Sequence, residues 1–304
     1  MNNKAKSIKS AVDDFMAERS ISTEMEQNLV KETIHLHPLS ALSDAGLLNR
    51  VVFHGGSALR LCYGGERYSE DLDFVCGKAG SYVGEIEFER LVREALETTR
   101  KSLHRDFDVD QDQIVLKQPS HLMSIMSDAV SVAAWQIIVP VGPTRQTPKS
   151  RIKIEFANVP SYDSGPNVAK VTPGFVQIQD VILAVESANE ILADKAVALT
   201  ARQVLKYRDV WDVWYLVDKL NAAADRNIVA RKFVDYGTSN IEAKAEQRLA
   251  DLAKESTAKA FLDEMRRFLP ARRVAEMTAA GLHRTILAAS SELIARAVLP
   301  VSSV

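Results

Sequence analysis

The sequence predicts an α+β protein in which a mixed sheet is preceded by N-terminal helices and followed by an α-helical C-terminal lobe. Apolar residues recur at helical spacing up to residue 50, short apolar runs and alternating segments mark residues 51–185, and helical spacing returns from residue 186. We therefore divide the chain into residues 1–185 and residues 186–304. The length of 304 residues agrees with two units, since one core rarely organises more than about 250–300 residues.

The N-terminal block is predicted to form two helices. Ile8, Val12 and Phe15 recur at the spacing of one helical face. Thr23 and Glu26 have the spacing of a capping box, which predicts the start of the second helix. We expect Pro38 to end that helix or to begin another.

The middle block alternates strands with helices. A helix is predicted to follow the glycine pair at residues 57–63, and a long amphipathic helix is predicted over residues 88–103. Short apolar or alternating runs predict strands at residues 51–53, 71–74, 113–117, 131–141 and 151–156.

The last block is predicted to be helical. Ser187 and Glu190 form a second capping box, which opens a helix running towards Arg202. Residues 209–220 and several segments after residue 228 continue the helical pattern.

Composition and charge exclude several classes of protein. With 38 basic and 40 acidic residues the formal charge is −2, so any contact with nucleic acid needs a local basic patch. Cys62 and Cys76 are too few for a disulfide scaffold. The stretch 129–142 falls short of the roughly 20 apolar residues of a membrane helix. No apolar segment of a signal peptide follows Met1, so we expect a cytoplasmic protein without membrane contact.

Three acidic residues are candidates for a metal site. Asp71 and Asp73 stand two apart on a predicted strand and therefore share one face. Like charges repel unless a cation lies between them or both face solvent, and oxygen ligands suit Mg²⁺ or Mn²⁺. Glu155 lies opposite an apolar face on the strand 151–156 and is the candidate third ligand of a two-metal site. The alternative is that Asp71 and Asp73 are solvated surface acids and that Glu155 pairs with a lysine.

A glycine turn supplies a candidate phosphate site. Gly55 and Gly56 allow close approach of the backbone, and the amides at the start of the helix after Ser57 favour an anion. A pair of carboxylates that holds metal, together with a turn that holds anions, matches the needs of a nucleoside triphosphate. The alternative for the glycine pair is an ordinary turn.

Two separated motifs are similar to those of one known family. The segments HGGSAL (54–59) and RYSEDLDF (67–74) resemble the GG[ST]AL…R[FY]SxD[IL]DF signature of the AbiEii/AbiGii toxin family. The segments DKAVAL (194–199) and RDVWD (208–212) resemble its later DKxxAL…RDxxDL motif. The resemblance covers residues 25–220 and implies a polymerase-β-like nucleotidyltransferase core.

The resemblance also implies an activity and partners. Such an enzyme transfers a nucleoside monophosphate from an NTP to the 3′ end of tRNA, releases pyrophosphate and stops translation. A cognate antitoxin, similar to AbiEi, is expected as partner. The implied metal ligands and catalytic residues are Asp71, Asp73 and Glu155, with Lys195 and Asp209. The implied nucleotide-binding residues are Gly55, Gly56, Ser57, Arg67 and Lys195.

Alternatives remain open at this stage. Lys195 has the alternative of a solvated helix residue. Asp209 either belongs to the active-site rim or orients Lys195, or else forms a structural ion pair or a helix cap. The acceptor could instead be a protein or a small molecule, and the chain could be a catalytically silent nucleotide-binding regulator.

Two basic stretches are candidates for contact with RNA phosphates. Arg145, Lys149, Arg151 and Lys153 occur within nine residues that contain no acid. If they flank the strand of Glu155, they border the proposed site and could guide an RNA end. The second stretch contains Arg266, Arg267, Arg272 and Arg273. Charge runs of this kind are more often solvated faces.

Overall fold

The computed structural model describes residues 6–76, 85–119, 132–142, 148–157, 159–171 and 178–300. Within these residues the chain forms seven strands and eleven α-helices, and the strands join in one mixed sheet. The predicted α+β class is thereby confirmed. The chain divides into two compact units: the first holds the described residues up to Val185 apart from Ser161–Ser164, and the second holds that short segment and the described residues from Glu186 onward.

The elements of the first unit are helices α1 to α4 and the seven strands of the sheet. Along the chain, the last strand ends at Glu186, where the second unit begins. The helices are α1 (Ile8–Arg19), α2 (Glu26–Asp44), α3 (Gly55–Cys62) and α4 (Glu85–Asp106). The strands are β1 (Val52–His54), β2 (Asp71–Val75), β3 (Val115–Lys117), β4 (Val132–Pro140), β5 (Lys149–Ala157), β6 (Ser164–Ala169) and β7 (Val181–Glu186).

The sheet has the strand order β3-β4-β5-β2-β1-β7-β6. β2 pairs in parallel with β5 and antiparallel with β1, and β1 pairs in parallel with β7. α2 packs against both α4 and β5, and almost all of its residues between Asn28 and Leu42 are buried. This layering leaves the other face of the central strands β2 and β5 partly exposed, and that face carries the candidate site.

Two predictions about α2 were wrong. The helix continues through Pro38 to Asp44, because α2 is buried around most of its surface and packing outweighs the roughly 3 kcal/mol that an interior proline costs. The predicted capping box at Thr23 and Glu26 does not form. Residues Thr23–Met25 instead make a 3₁₀ turn, whose backbone hydrogen bonds lead directly into the helix.

Most predicted strands are present with small shifts, but two strands were not predicted. The run predicted at 113–117 shortens to β3, because residues Gln111–Gln113 form a 3₁₀ turn. β6 has the sequence Ser-Gly-Pro-Asn-Val-Ala, which carries no strand signal. β7 is a continuous apolar run of the kind that periodicity alone cannot distinguish from a helix.

The second unit is helical, as predicted. Its α-helices are α5 (Ala188–Ala201), α6 (Tyr207–Trp214), α7 (Arg226–Asp235), α8 (Ile241–Leu252), α9 (Glu255–Met265), α10 (Ala271–Ala279) and α11 (Leu282–Leu293). Ser187 caps α5 by accepting a hydrogen bond from the Glu190 amide at 3.1 Å, so this half of the predicted capping box is confirmed. The Glu190 carboxylate binds the amides of Tyr162 and Asp163 instead of that of Ser187. None of the described helices is long and apolar enough to cross a membrane.

A buried lysine holds the start of the second unit together. The Lys232 ammonium on α7 lies 3.1 Å from Glu186, 2.8 Å from Glu190 and 2.8 Å from Asp194, and its side chain is 1% exposed. Burial and the neighbouring Asp194 raise the pKa of Glu186 well above its usual range, even with Lys232 beside it. The three carboxylates therefore depend on this one cation.

Replacing Lys232 by Met should destabilise the protein strongly. The substitution leaves three buried acidic groups without their cation, a loss worth about 3–5 kcal/mol. Urea unfolding at pH 7 measures the change. The control is Lys259→Met, an exposed lysine on α9, which should stay within about 0.5 kcal/mol of the wild type. Equal stability of the two variants would show that the buried lysine is dispensable.

Candidate active site

Two parallel strands bring three acidic residues together. In the pairing of β2 with β5, Asp73 lies opposite Glu155 and Asp71 lies opposite Lys153. Paired residues point to the same side of the sheet, and neighbouring strands are about 4.8 Å apart. Each of these four side chains is partly exposed. Asp71, Asp73 and Glu155 therefore share one accessible face across two adjacent strands.

Aromatic packing on the opposite face fixes this register. The ring centroid of Phe74 lies 5.1 Å from that of Phe53 on β1 and 5.2 Å from that of Phe156 on β5. Leu72 and Ile154 are fully buried beside these rings. A slip of one residue would turn this apolar set outward and bury the carboxylates, so the register is strongly specified.

Lys153 is a member of the cluster that the sequence did not identify as such. Its Nζ lies 2.8 Å from Glu155 Oε1, and the Lys153 side chain is 38% exposed. Partial burial lowers the pKa of Lys153, but the hydrogen bond to Glu155 and the charges of Glu155, Asp71 and Asp73 outweigh it and raise the pKa. Glu155 thus pairs with a lysine, as the alternative predicted, and also lies opposite Asp73. The available signal was the spacing of two residues between Lys153 and Glu155 on one strand.

The glycine turn lies against the same carboxylates. β1 ends at His54, which is opposite Asp73, and α3 begins at Gly55. Gly55 has φ +73°, and a Cβ built there would lie 2.9 Å from Asp73 Oδ2. A Cβ on Gly56 would meet the Arg67 guanidinium. Charged side chains therefore lie so close to both glycines that a residue with a Cβ would clash with them. The turn at these glycines is packed against the candidate site and is not an ordinary exposed turn.

Ser57 and Arg67 connect the turn to β2 and the loop before it. The buried Ser57 hydroxyl donates a hydrogen bond to the backbone carbonyl of Asp71. Arg67 is also buried, and its Nη1 donates to the Tyr68 carbonyl at 2.9 Å. These contacts position the Asp71 strand against α3. A direct contact of either side chain with nucleotide remains a prediction.

Two side chains of α2 contact the loop before β2. Lys31 lies 2.7 Å from the Glu70 carboxylate, and the His35 ring lies 3.0 Å from the Glu70 carbonyl oxygen. Burial lowers the pKa of His35 to about 4, so this imidazole is neutral at physiological pH. The residue that precedes Asp71 is therefore fixed through both its side chain and its backbone.

Lys195 and Asp209 belong to the second unit and lie together there. The Lys195 ammonium lies 2.7 Å from Asp209 and 2.7 Å from Asp212, and Arg202 also contacts Asp209. Burial alone would raise the pKa of Asp209, but Lys195 and Arg202 lower it well below its usual range. Asp209 is thus ionised and holds Lys195 in place, and Asp212 is a second such partner that the sequence did not single out. The Lys195 side chain is 9% exposed, so it is not an ordinary solvated lysine.

The first basic stretch continues along the face of the carboxylates. Lys149 and Arg151 occupy alternate positions of β5 that point to the same side as Lys153 and Glu155. Both are exposed, and neither forms an ion pair with a residue that the structure describes. Arg145 lies outside the described residues. Two cations on β5 therefore remain available for an anionic ligand.

The second basic stretch is engaged locally. Each of its four arginines has a partner within the second unit: Arg266 with Asp263, Arg267 with the ring of Phe268, Arg272 with Glu276 and Arg273 with the ring of Trp211. These contacts favour the interpretation of a solvated helical surface for this stretch.

Comparison with known proteins identifies the family. Residues 38–280 match the family described as nucleotidyl transferase AbiEii toxin, type IV toxin-antitoxin system. The chain is thus a nucleotidyltransferase, as the carboxylate cluster and the glycine turn suggest. It belongs to the AbiEii toxin family.

Two solved structures from Helicobacter pylori were also found. JHP933 shares 15% identity with a TM-score of 0.46, over 89% of this chain and 94% of its own. A proposed nucleotidyltransferase shares 18% identity with a TM-score of 0.47, over 88% of this chain and 95% of its own. No curated protein matched. The assignment rests on the family match alone.

The close approach of Gly55 to Asp73 can be tested by Gly55→Ala. The added methyl group requires Asp73 to move, and misplacement by about 1 Å can reduce catalysis on the order of 100-fold. Gly46→Ala is a matched control, because Gly46 has φ +69° with nothing within 4 Å of an added Cβ.

Both variants should lose about 1–2 kcal/mol of stability from the strained backbone. Only Gly55→Ala should lose nucleotidyl transfer, measured as pyrophosphate release. Similar activity in the two variants would contradict the idea that the turn supports Asp73.

Proposed function

We propose that this chain is a Mg²⁺-dependent toxin that transfers a nucleoside monophosphate from an NTP to the 3′ end of tRNA and so blocks translation. The observation that carries the proposal is the cluster of Asp71, Asp73 and Glu155 on one face of β2 and β5, beside the turn at Gly55. Membership of the AbiEii family supports the reaction class. The tRNA acceptor comes from the resemblance of the motifs.

The chemistry of the three side chains suits a divalent metal ion. Asp71, Asp73 and Glu155 offer only oxygen donors, are partly exposed and face one side, which suits Mg²⁺ or Mn²⁺. When bound, such an ion supplies Lewis-acid stabilisation of charge on phosphoryl oxygens. The three carboxylates repel one another on their common face, and a cation bound among them would relieve that repulsion.

The start of α3 is suited to the triphosphate. Gly55 and Gly56 present backbone without side chains at a helix N-terminus, where amide groups and the helix dipole favour an anion. The Ser57 hydroxyl holds this turn on β2. The family motif assigns Lys195 to the triphosphate, and its two carboxylate partners keep that ammonium charged and oriented.

The chemical step needs little covalent participation by the protein. The acceptor hydroxyl forms a bond to the α-phosphorus, the bond between the α-phosphorus and the bridging oxygen breaks, and pyrophosphate leaves. A carboxylate of the cluster takes up the hydroxyl proton. The contribution of Asp71, Asp73 and Glu155 is mainly placement and charge, which are the dominant effects in phosphoryl transfer.

Two cations of β5 that have no ion-pair partner among the described residues support an RNA acceptor over other acceptors. Lys149 and Arg151 lead along the strand to Glu155, and phosphate contacts of this kind supply much of the affinity for RNA. Proteins and small molecules remain the alternative acceptors. A catalytically silent regulator fits poorly, because the glycine turn and all three acids are present. We further propose that the enzyme acts in the cytoplasm, where tRNA is found, and that an AbiEi-like antitoxin is its cognate partner.

Asp73→Asn should abolish transfer while the fold is retained. Removing this charge should reduce label transfer at least about 100-fold, because charge placement provides most of the catalysis. Asparagine has nearly the size and shape of aspartate, so the thermal stability of the variant should stay close to that of the wild type. The assay incubates enzyme with each labelled NTP, Mg²⁺ and a lysate that contains tRNA.

The control for this assay is Asp108→Asn, an exposed acid in the same unit, which should keep full activity. The labelled species identifies the acceptor. Label in protein or in a small molecule would replace tRNA as substrate, and full activity of Asp73→Asn would refute the assigned site.

The double variant Lys149→Glu, Arg151→Glu should weaken binding of tRNA. Reversal of two exposed charges that lead to the site should raise the dissociation constant about tenfold or more and reduce its salt dependence. Filter binding over a range of salt measures both effects. NTP binding should be unchanged, and Lys101→Glu on α4 should bind tRNA normally. Equal loss of NTP and tRNA binding would point to misfolding.

A further inference from the structure

Lys153 places a positive charge beside the three carboxylates that are proposed to hold a metal ion. Its ammonium is 2.8 Å from Glu155 Oε1, and its backbone pairs in register with Asp71. On its other side β5 pairs with β4, where Gln136 lies opposite Lys153 and contributes no charge. One permanent cation is therefore built into the face that carries Asp71, Asp73 and Glu155.

The charge of this lysine has two opposite effects. It reduces the mutual repulsion of the three acids, which stabilises the cluster when no other cation is present. The same charge repels a divalent ion placed among those acids, and it competes for Glu155. Because Lys153 is 38% exposed, it can give up Glu155 for solvent or for an anionic ligand without being left as a buried charge.

We propose that Lys153 is a positioning residue that keeps the affinity of the free enzyme for divalent metal low, so that metal and NTP bind together. A triphosphate brings negative charge that offsets Lys153 and offers the ammonium a new partner. Divalent binding is then favourable when nucleotide is present and weak when it is absent. This inference rests on the proposed function, because it uses the metal site assigned there.

The test is a titration of EDTA-treated enzyme with Mn²⁺, followed by electron paramagnetic resonance, with and without a non-hydrolysable NTP. Lys153→Met should bind Mn²⁺ alone on the order of tenfold more tightly than the wild type, which is the effect expected from removing one nearby unit charge. The difference should shrink when nucleotide is present. Lys117→Met, an exposed lysine of β3, is the matched control and should behave as the wild type.

Thermal unfolding of the same samples gives a second readout. In EDTA, Lys153→Met should be less stable than the wild type, and Mn²⁺ should shift its midpoint more. Unchanged or weaker binding of Mn²⁺ by Lys153→Met would overturn the inference.

The variant Asp73→Asn shows whether a negative result concerns only Lys153 or the proposed metal site as a whole. If Asp73→Asn loses Mn²⁺ binding while Lys153→Met is unchanged, the metal site stands and only the role of Lys153 fails. If the wild type and Asp73→Asn bind Mn²⁺ equally in the presence of the non-hydrolysable NTP, the metal site itself fails.

Discussion

The parallel pairing of β2 with β5 is the constraint on which the candidate site depends. Side chains alternate along each strand, so one register determines which residues face the core and which face outward. The stack of Phe53, Phe74 and Phe156 is buried only in the register that also places Asp73 opposite Glu155. Core packing therefore provides the energy that holds like charges together. The carboxylates need not stabilise the arrangement themselves.

Three of the lysines that pair with carboxylates differ in the exposure of their side chains. Lys232 and Lys195 are 1% and 9% exposed, and the acids around them are between 0% and 13% exposed. Removing one partner from such a group leaves a buried charge, so these groups act as fixed structure. Lys153 is 38% exposed, and its pair with Glu155 can open at small cost. Lysine–carboxylate pairs thus stabilise the fold of the second unit. At the candidate site, the pair of Lys153 and Glu155 can instead open so that either group binds another partner.

Much of the fold and part of the site could be predicted from the sequence. Asp71, Asp73 and Glu155 alternate with apolar residues, so their common face follows from strand periodicity. Local propensity did not predict two features of the fold. Tertiary packing keeps α2 helical through Pro38, and pairing within the sheet makes residues 164–169 a strand. The position of Lys153 and Glu155 opposite Asp71 and Asp73 depends on which strands become neighbours, and a single sequence does not record that. The role of Arg67 remains a prediction.

The signature around the glycine turn is best understood as one folding unit made of two segments. Gly55 leaves room for the Asp73 carboxylate, Gly56 leaves room for Arg67, and the Ser57 hydroxyl binds the Asp71 carbonyl. Three consecutive residues of the first segment thus each lie against a residue of the second. Such a motif holds the strand of the candidate metal ligands and the glycine turn at a set distance before any ligand arrives. Preorganisation of this kind reduces the reorganisation needed during reaction, and it explains why these small residues accompany the acids although only the acids offer strong metal ligands.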